Sequence, residues 1–248
     1  MDGAQVLEVL DAAAVAVRRA LDDLDDWGPA GTKPGQYASD LVADAAALDV
    51  LLGAGMGVLS EESGLTHDER ELLVVVDPVD GSTNASRGLP WFATSLCALD
   101  AAGPLAAVVV NQATGEHFAA ERGGGARRNG APMGPTTCTE LSQALVAITS
   151  TPRQPLGWRQ VRSLGAVALD LCSVACGHLD AYVDCGRGNH GPWDYLGAML
   201  VCLEAGAPVV DAHGLDLVAR RPDDRRAPVA AATPQLLAQA VEARERYA

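Results

Sequence analysis

Aromatic residues are scarce in this chain: Phe, Trp and Tyr together make up 4% of its 248 residues. A core of ordinary size must therefore rest on Ala, Val and Leu. Basic residues are few as well, 18 Lys and Arg against 32 Asp and Glu, for a formal net charge of −14. That balance argues against a sequence-independent grip on nucleic acid, which needs clustered cations. No apolar run approaches the roughly 20 residues that a membrane-spanning helix requires, and no basic amphipathic segment suggests a membrane surface as partner. The start, Met1-Asp2-Gly3-Ala4, lacks the basic and apolar regions of a secretory signal. The six cysteines (Cys97, Cys138, Cys172, Cys176, Cys185 and Cys202) show no paired CxxC spacing. Cys172 and Cys176 lie in an apolar helical pattern, as small core residues do. The expectation is a reduced, cytoplasmic protein without nucleic-acid or membrane partners.

What is present is an ordinary soluble mixture, 48% hydrophobic and 20% charged. The length suffices for one large core or two closely packed lobes. Apolar positions from Val6 to Leu24 have the spacing of an amphipathic helix over 5–24. The following Asp22, Asp23, Asp25 and Asp26 read as a solvated surface cluster. A loop rich in Gly and Pro is expected over 27–37, then a helix over 39–53 with Ser39 as N-cap. Strands are expected at 91–99, 145–149, 181–184 and 208–210, and a hairpin pairs 105–111 with 116–120 across Ala113-Thr114-Gly115. Helical patterns cover 165–178, 194–205 and 234–247. Pro132–Thr139 is the expected boundary between an N-terminal lobe, 1–135, and a C-terminal lobe, 136–248. Helices and hairpins mixed irregularly indicate layered α+β rather than a doubly wound sheet. Gly123-Gly124-Gly125 lacks the combination of a strand before and a Lys-Ser or helix after, and is not read as a phosphate cradle.

Chemistry concentrates in Asp77-Pro78-Val79-Asp80-Gly81-Ser82-Thr83-Asn84, directly after Leu72-Leu73-Val74-Val75-Val76. The apolar run reads as a buried strand. It delivers two carboxylates into a turn that Gly81 makes tight, followed by hydroxyls and N–H groups suited to a helix start. Carboxylates bind hard divalent cations, and helix-start N–H groups bind phosphate. Two further segments offer carboxylates in apolar surroundings: Glu61-Glu62 after Val58-Leu59, and Asp194 after Trp193. Each has an unremarkable reading as turn, cap or surface charge. Together they suggest metal-assisted chemistry on a phosphate ester, with bound cations reversing the local sign for an anionic substrate.

Ser60-Glu61-Glu62, the octet from Asp77 to Asn84, and Trp193-Asp194 resemble, in order, the signature segments of the inositol monophosphatase family. Arg162-Ser163-Leu164-Gly165, Cys172-Ser173-Val174-Ala175, Asp180-Ala181-Tyr182 and Glu204-Ala205-Gly206-Ala207 extend the resemblance over about Ser39 to Arg221. It implies an α+β fold, a layered α-β-α-β-α sandwich of the inositol monophosphatase and fructose bisphosphatase type, often dimeric. It also implies Mg²⁺-dependent hydrolysis of a small phosphate monoester, using two or three ions. By the family pattern Glu61, Asp77, the Val79 carbonyl, Asp80 and Asp194 would hold metal. Gly81, Ser82, Thr83, Asp184 and Asp194 would contact substrate. Ser82 stands where the family usually has Thr and would orient the attacking water, which Glu61 helps to activate.

Two departures stand out. The family's Thr and Asp in the helix near the start align with Ala43 and Ala46, so Asp44 fills the water-orienting role only if the helix is turned or shifted. The connection from Asp184 to Trp193 is longer than usual and carries Arg187 and His190, which either meet a different leaving group or lie on the surface. The expected substrate is inositol monophosphate, with histidinol phosphate or 3′-phosphoadenosine 5′-phosphate as alternatives. Fructose bisphosphate is disfavoured for want of basic residues for a second phosphate. A catalytically idle binding or regulatory relative is the alternative of a different class.

Overall fold

The computed structural model of the chain describes residues 1–31 and 35–247; residues 32–34 of the Gly- and Pro-rich loop expected over 27–37 fall outside them. Among the described residues there are two sheets. The first contains β1 (Gly57–Ser60), β2 (Gly64–Thr66), β3 (Leu73–Asp80), β4 (Ala93–Asp100), β5 (Gly103–Asn111), β6 (His117–Glu121), β7 (Gly125–Arg128) and β8 (Ala131–Pro132). Their order is β2-β1-β3-β4-β5-β6-β7-β8, and only β1 and β3 run parallel. The second contains β9 (Leu145–Thr149), β10 (Gln160–Arg162), β11 (Ala181–Asp184), β12 (Val209–Asp211) and β13 (Pro228–Ala231), in the order β10-β9-β11-β13-β12. The helices are α1 (Gly3–Asp22), α2 (Ala38–Gly53), α3 (Ser82–Ser86), α4 (Val167–Ala175), α5 (Pro192–Ala205) and α6 (Pro234–Tyr247).

Period-two alternation in the central strands sorts their side chains into layers. In β3, Val74 and Val76 pack with Val6, Leu10 and Leu51 of α1 and α2, whereas Leu73 and Val75 join a core with α4 and α5. In β11, Tyr182 faces that same α4 and α5 core, while Ala181 and Val183 pack with Leu236 and Leu237 of α6. The result is a layered α-β-α-β-α sandwich: α1 and α2, the first sheet, α4 and α5, the second sheet, α6. Every residue of α4 is buried and α5 is buried from Pro192 to Cys202 apart from Asp194, as suits helices apolar on all sides and covered twice. Small residues let the middle layers approach closely. A Cβ added at Gly197 in α5 would stand 2.8 Å from Ser95 Oγ and 3.3 Å from the Leu96 carbonyl.

Most expected elements fall within a residue or two of their observed places, and 145–149, 181–184 and 234–247 coincide with β9, β11 and α6. Asp22, Asp23, Asp25 and Asp26 are exposed, as a solvated cluster should be. The start of α2 differs from expectation. The helix begins at Ala38, and the Asp40 carboxylate accepts the Tyr37 N–H at 2.8 Å, so Ser39 lies inside the first turn. Gly123-Gly124-Gly125 forms the β6–β7 turn, where Glu204 accepts the N–H groups of Gly123 (2.9 Å) and Gly125 (3.0 Å), a bidentate clamp. Strands β1, β2, β10 and β13 are among those with no counterpart in the sequence reading; β2 and β10 are only three residues long, β2 half-exposed and β10 exposed.

The contact at Gly197 predicts that Gly197→Val overpacks the α5 interface with the first sheet and lowers stability by about 1–3 kcal/mol. Urea unfolding of both proteins measures it, with an unchanged m-value expected.

Candidate functional site

β3 ends inside the protein with carboxylates on it. Asp77 continues the parity of Leu73 and Val75 and so points toward the α4 and α5 layer. Between Asp77, opposite Ser95, and Asp80, opposite Ala93, β3 carries one residue more than β4, a bulge at Pro78-Val79. Thr94 Oγ1 donates to the Pro78 carbonyl (2.9 Å) and the Val79 N–H donates to Asp77 Oδ1 (3.1 Å), which fixes the bulge and the Val79 peptide. The chain then turns at Gly81, whose φ of +88° suits glycine, into the short α3. A Cβ there would also stand 3.0 Å from the Trp91 carbonyl, so glycine is required twice over. Asn84 Nδ2 donates to the carbonyls of Trp91 and Leu164, both at 2.8 Å, tying α3 to the loop before α4.

Three segments converge here. Glu61 follows β1, whose parallel pairing with β3 brings Ser60 opposite Val76. Asp194 stands in the first turn of α5. Glu61, Asp77 and Asp194 each place a carboxylate oxygen within 4.8 Å of the others. Asp80 stands to one side: its Oδ2 accepts the Ala168 N–H at 2.7 Å, capping α4, while the Asp194 charge acts on it. Among the described residues no Lys or Arg forms an ion pair with Glu61, Asp77, Asp80 or Asp194. The carboxyls of Glu61, Asp77 and Asp80 accordingly titrate above their ordinary range. Desolvation first, then the Glu61 charge, raises Asp77 well above the carboxylate range; desolvation, then Asp194, does the same for Asp80. Glu61 is pushed up to about 8 by desolvation in the crowded cleft and by Asp194, although its side chain reaches solvent. Oxygen donors this close, with no cationic side chain among them, have the chemistry of a hard divalent-cation site.

The long connection before α5 folds inward. His190 pairs with Arg226 through two backbone hydrogen bonds (3.3 and 2.9 Å). Its Nδ1 lies 3.2 Å from Asp194 Oδ2, which also accepts the Gly191 N–H at 2.7 Å. Its Nε2 lies 3.3 Å from the Tyr182 hydroxyl and 3.6 Å from Asp184 Oδ2. Burial alone would lower the His190 pKa, but Asp194, Asp184 and Asp170 outweigh it and the net direction is upward. Asp184, expected to contact substrate, is 1% exposed. Its Oδ1 accepts the Gly186 N–H at 2.7 Å and its Oδ2 faces His190 without a hydrogen bond. Asp184 therefore meets the cleft through His190. Arg187, from the same loop, is exposed and lies apart from this network.

The helix near the start supplies two buried acids in different roles. Asp44 accepts the Ser60 hydroxyl, which itself accepts the Glu62 N–H at 3.1 Å, so Asp44 braces the turn that carries Glu61. α2 runs unbroken from Ala38 to Gly53. Asp40, absent from the residues singled out by sequence, is the α2 acid whose charge raises both Glu61 and Asp77. It is itself raised to about 6, by burial first and then by Glu62. An Asp at the third position of a helix is a sequence signal for a cap; its nearness to Glu61 is set only by the tertiary fold. The Tyr37 hydroxyl lies 3.3 Å from Thr83 Oγ1, joining the start of α2 to α3.

Residues 40–247 match the model of the inositol monophosphatase family. Nus factor SuhB of Xylella fastidiosa is 33% identical over 68% of this chain, and the match spans 64% of that protein's length. A fructose-1,6-bisphosphatase/inositol-1-monophosphatase of Archaeoglobus fulgidus is 30% identical over 88% of each chain. The crystal structure of extragenic suppressor protein SuhB from Bartonella henselae superimposes with a TM-score of 0.81 at 26% identity, covering 98% of this chain and 99% of that one.

Asp40 and Glu61 titrate higher in the folded chain than their ordinary values of 3.8 and 4.5, at about 6 and about 8. Groups raised on folding favour the fold at low pH and cease to do so as pH rises through the folded values. The metal-free protein is thus expected to lose thermal stability as pH rises from the ordinary carboxylate range to about 8. Glu61→Gln flattens the upper part of that profile. Melting curves across pH with a chelator present measure both effects.

Proposed function

The chain belongs to the inositol monophosphatase family, and from that premise we propose that it is a Mg²⁺-dependent hydrolase of a small phosphate monoester, with inositol monophosphate the leading substrate. The observation that carries the reading is the meeting of Glu61, Asp77 and Asp194, from three distant segments, within 4.8 Å. Asp80 and the Val79 carbonyl would complete the oxygen set around two or three ions. Bound divalent cations would supply a water of lowered pKa and neutralise charge on the phosphoryl oxygens.

The chain's own groups would do the rest. The N–H groups of Gly81, Ser82 and Thr83 would receive the phosphoryl oxygens, and the Ser82 hydroxyl would orient the attacking water. Glu61, raised to about 8 before cation binding, is suited to hold or release a proton near neutral pH once its surroundings change. Asp44 would act on structure through Ser60 rather than on the water. His190, fixed between Asp194 and Asp184, would present the acidic loop to the leaving group. The net negative wall of the site agrees with a substrate that arrives with, or after, its cations.

Phosphate release from inositol monophosphate, histidinol phosphate, 3′-phosphoadenosine 5′-phosphate and fructose bisphosphate, with and without Mg²⁺, tests the reading. Metal-dependent turnover of inositol monophosphate is expected; metal-independent turnover, or none with any of the four while cations still bind, would overturn it. Asp77→Asn is expected to lower kcat on the order of 10²-fold or more, the loss of several kcal/mol of charge stabilisation. Asp44→Ala is expected instead to lower the melting temperature while leaving kcat within roughly tenfold, since its carboxyl holds Ser60.

A further inference from the structure

A second concave site lies at the carboxyl edge of the second sheet. β9, β11 and β12 all end there: β9 is parallel to β11, and both β11 and β12 are antiparallel to β13. Crevices outside the carboxyl ends of strands are recurrent ligand sites. This one encloses about 920 Å³, within the range of small-molecule sites. It is separate from the acidic cleft. Cys185, on its wall, packs into the α6 core, whereas Asp184 next to it faces His190 on the other side of the strand end.

Its lining is unusual for a protein with a net charge of −14. Arg153 follows β9, Arg187 and His213 follow β11 and β12, and Arg244 comes from α6. Arg244 is 5% exposed. Its Nε donates to the Asp184 carbonyl (2.5 Å) and its Nη2 to the Gly186 carbonyl (2.7 Å). Its Nη2 also lies 3.4 Å from His213 Nε2, its charge acts on the buried Asp184, and among the described residues no carboxylate stands within ion-pair distance of it. Arg153 and Arg187 are exposed and form neither hydrogen bonds nor ion pairs with described residues. Two acids also line the cavity. Asp211 is occupied, accepting the N–H groups of His213, Leu215 and Ala227, and Glu245 is exposed at the rim.

We propose that this cavity binds a phosphate-bearing small molecule, held by the Arg153 and Arg187 forks with Arg244 as the buried counter-charge. Guanidinium groups match phosphate bidentately, and the volume leaves room for a nucleotide-sized remainder. Because Arg244 grips the carbonyls of Asp184 and Gly186, an occupant would rest against the loop that leads to His190. The inference does not depend on the proposed phosphatase reaction.

The test is calorimetric titration of metal-free protein, in chelator, with pyrophosphate and separately with ADP. Without cations the acidic cleft repels anions, so binding reports on the basic cavity. Saturable binding is expected, weakened by roughly tenfold or more in R153A/R187A, two exposed side chains whose removal leaves the fold intact, and unchanged in Asp77→Asn. Tighter binding of ADP than of pyrophosphate would mark a nucleotide-like occupant, and the reverse order a bare phosphate one; either supports the site. Absence of binding with Kd below about 1 mM, or equal binding by wild type and R153A/R187A, would overturn the proposal.

Discussion

Crowding of like charges at the ends of β1, β3 and the start of α5 is the constraint around which this molecule is built. Carboxylates that approach within 4.8 Å with no cationic side chain among them repel, and burial makes the repulsion worse. Desolvation first, and then the neighbouring carboxylates, lift Asp77 and Asp80 well above the ordinary carboxylate range. A packed core gains nothing from such an arrangement. It persists because the rest of the fold over-determines it: the bulge in β3 is pinned by Thr94, Asp80 caps α4, and Asp194 is held by Gly191 and His190.

The layering follows from the same need. The three acids come from the first sheet and from α5, so that sheet and helix must pack closely and without slack. Gly197 allows the approach, and the largely apolar α4 and α5 fill the space between the sheets. Asp80 is the clearest link between fold and site, since one oxygen organises the helix in the middle layer while the carboxyl feels the charge of Asp194. Alternation in β11 then divides its end into two environments, Asp184 toward the acidic network and Cys185 toward α6. A basic cavity and an acidic cleft thereby share one strand end without sharing a face.

Much of this was legible in the sequence. The apolar run before Asp77 is a buried strand because five consecutive apolar residues suit nothing else so short, and the resemblance of Ser60-Glu61-Glu62, the octet and Trp193-Asp194 named the family. Local patterns also located α1, the β5–β6 hairpin, β9, β11 and α6. What escaped is what long-range packing decides. Short strands such as β2 and β10 carry too few residues for a period to show. Asp44 accepts from Ser60, from another element, and Asp40, an α2 acid the sequence did not single out, acts by its charge on Glu61. Asp184 reads as a site residue by its place in the chain, yet its side chain is buried behind His190, a consequence of the longer loop folding inward onto Arg226.

The central claim is that the carboxylates of Glu61, Asp77 and Asp194 form one divalent-cation site. Titration of the metal-free protein with Mn²⁺, following the free ion by electron paramagnetic resonance, addresses it most directly. The account predicts saturable binding that Mg²⁺ displaces and that Asp77→Asn combined with Asp194→Asn abolishes. Binding of equal strength in that double variant would contradict it.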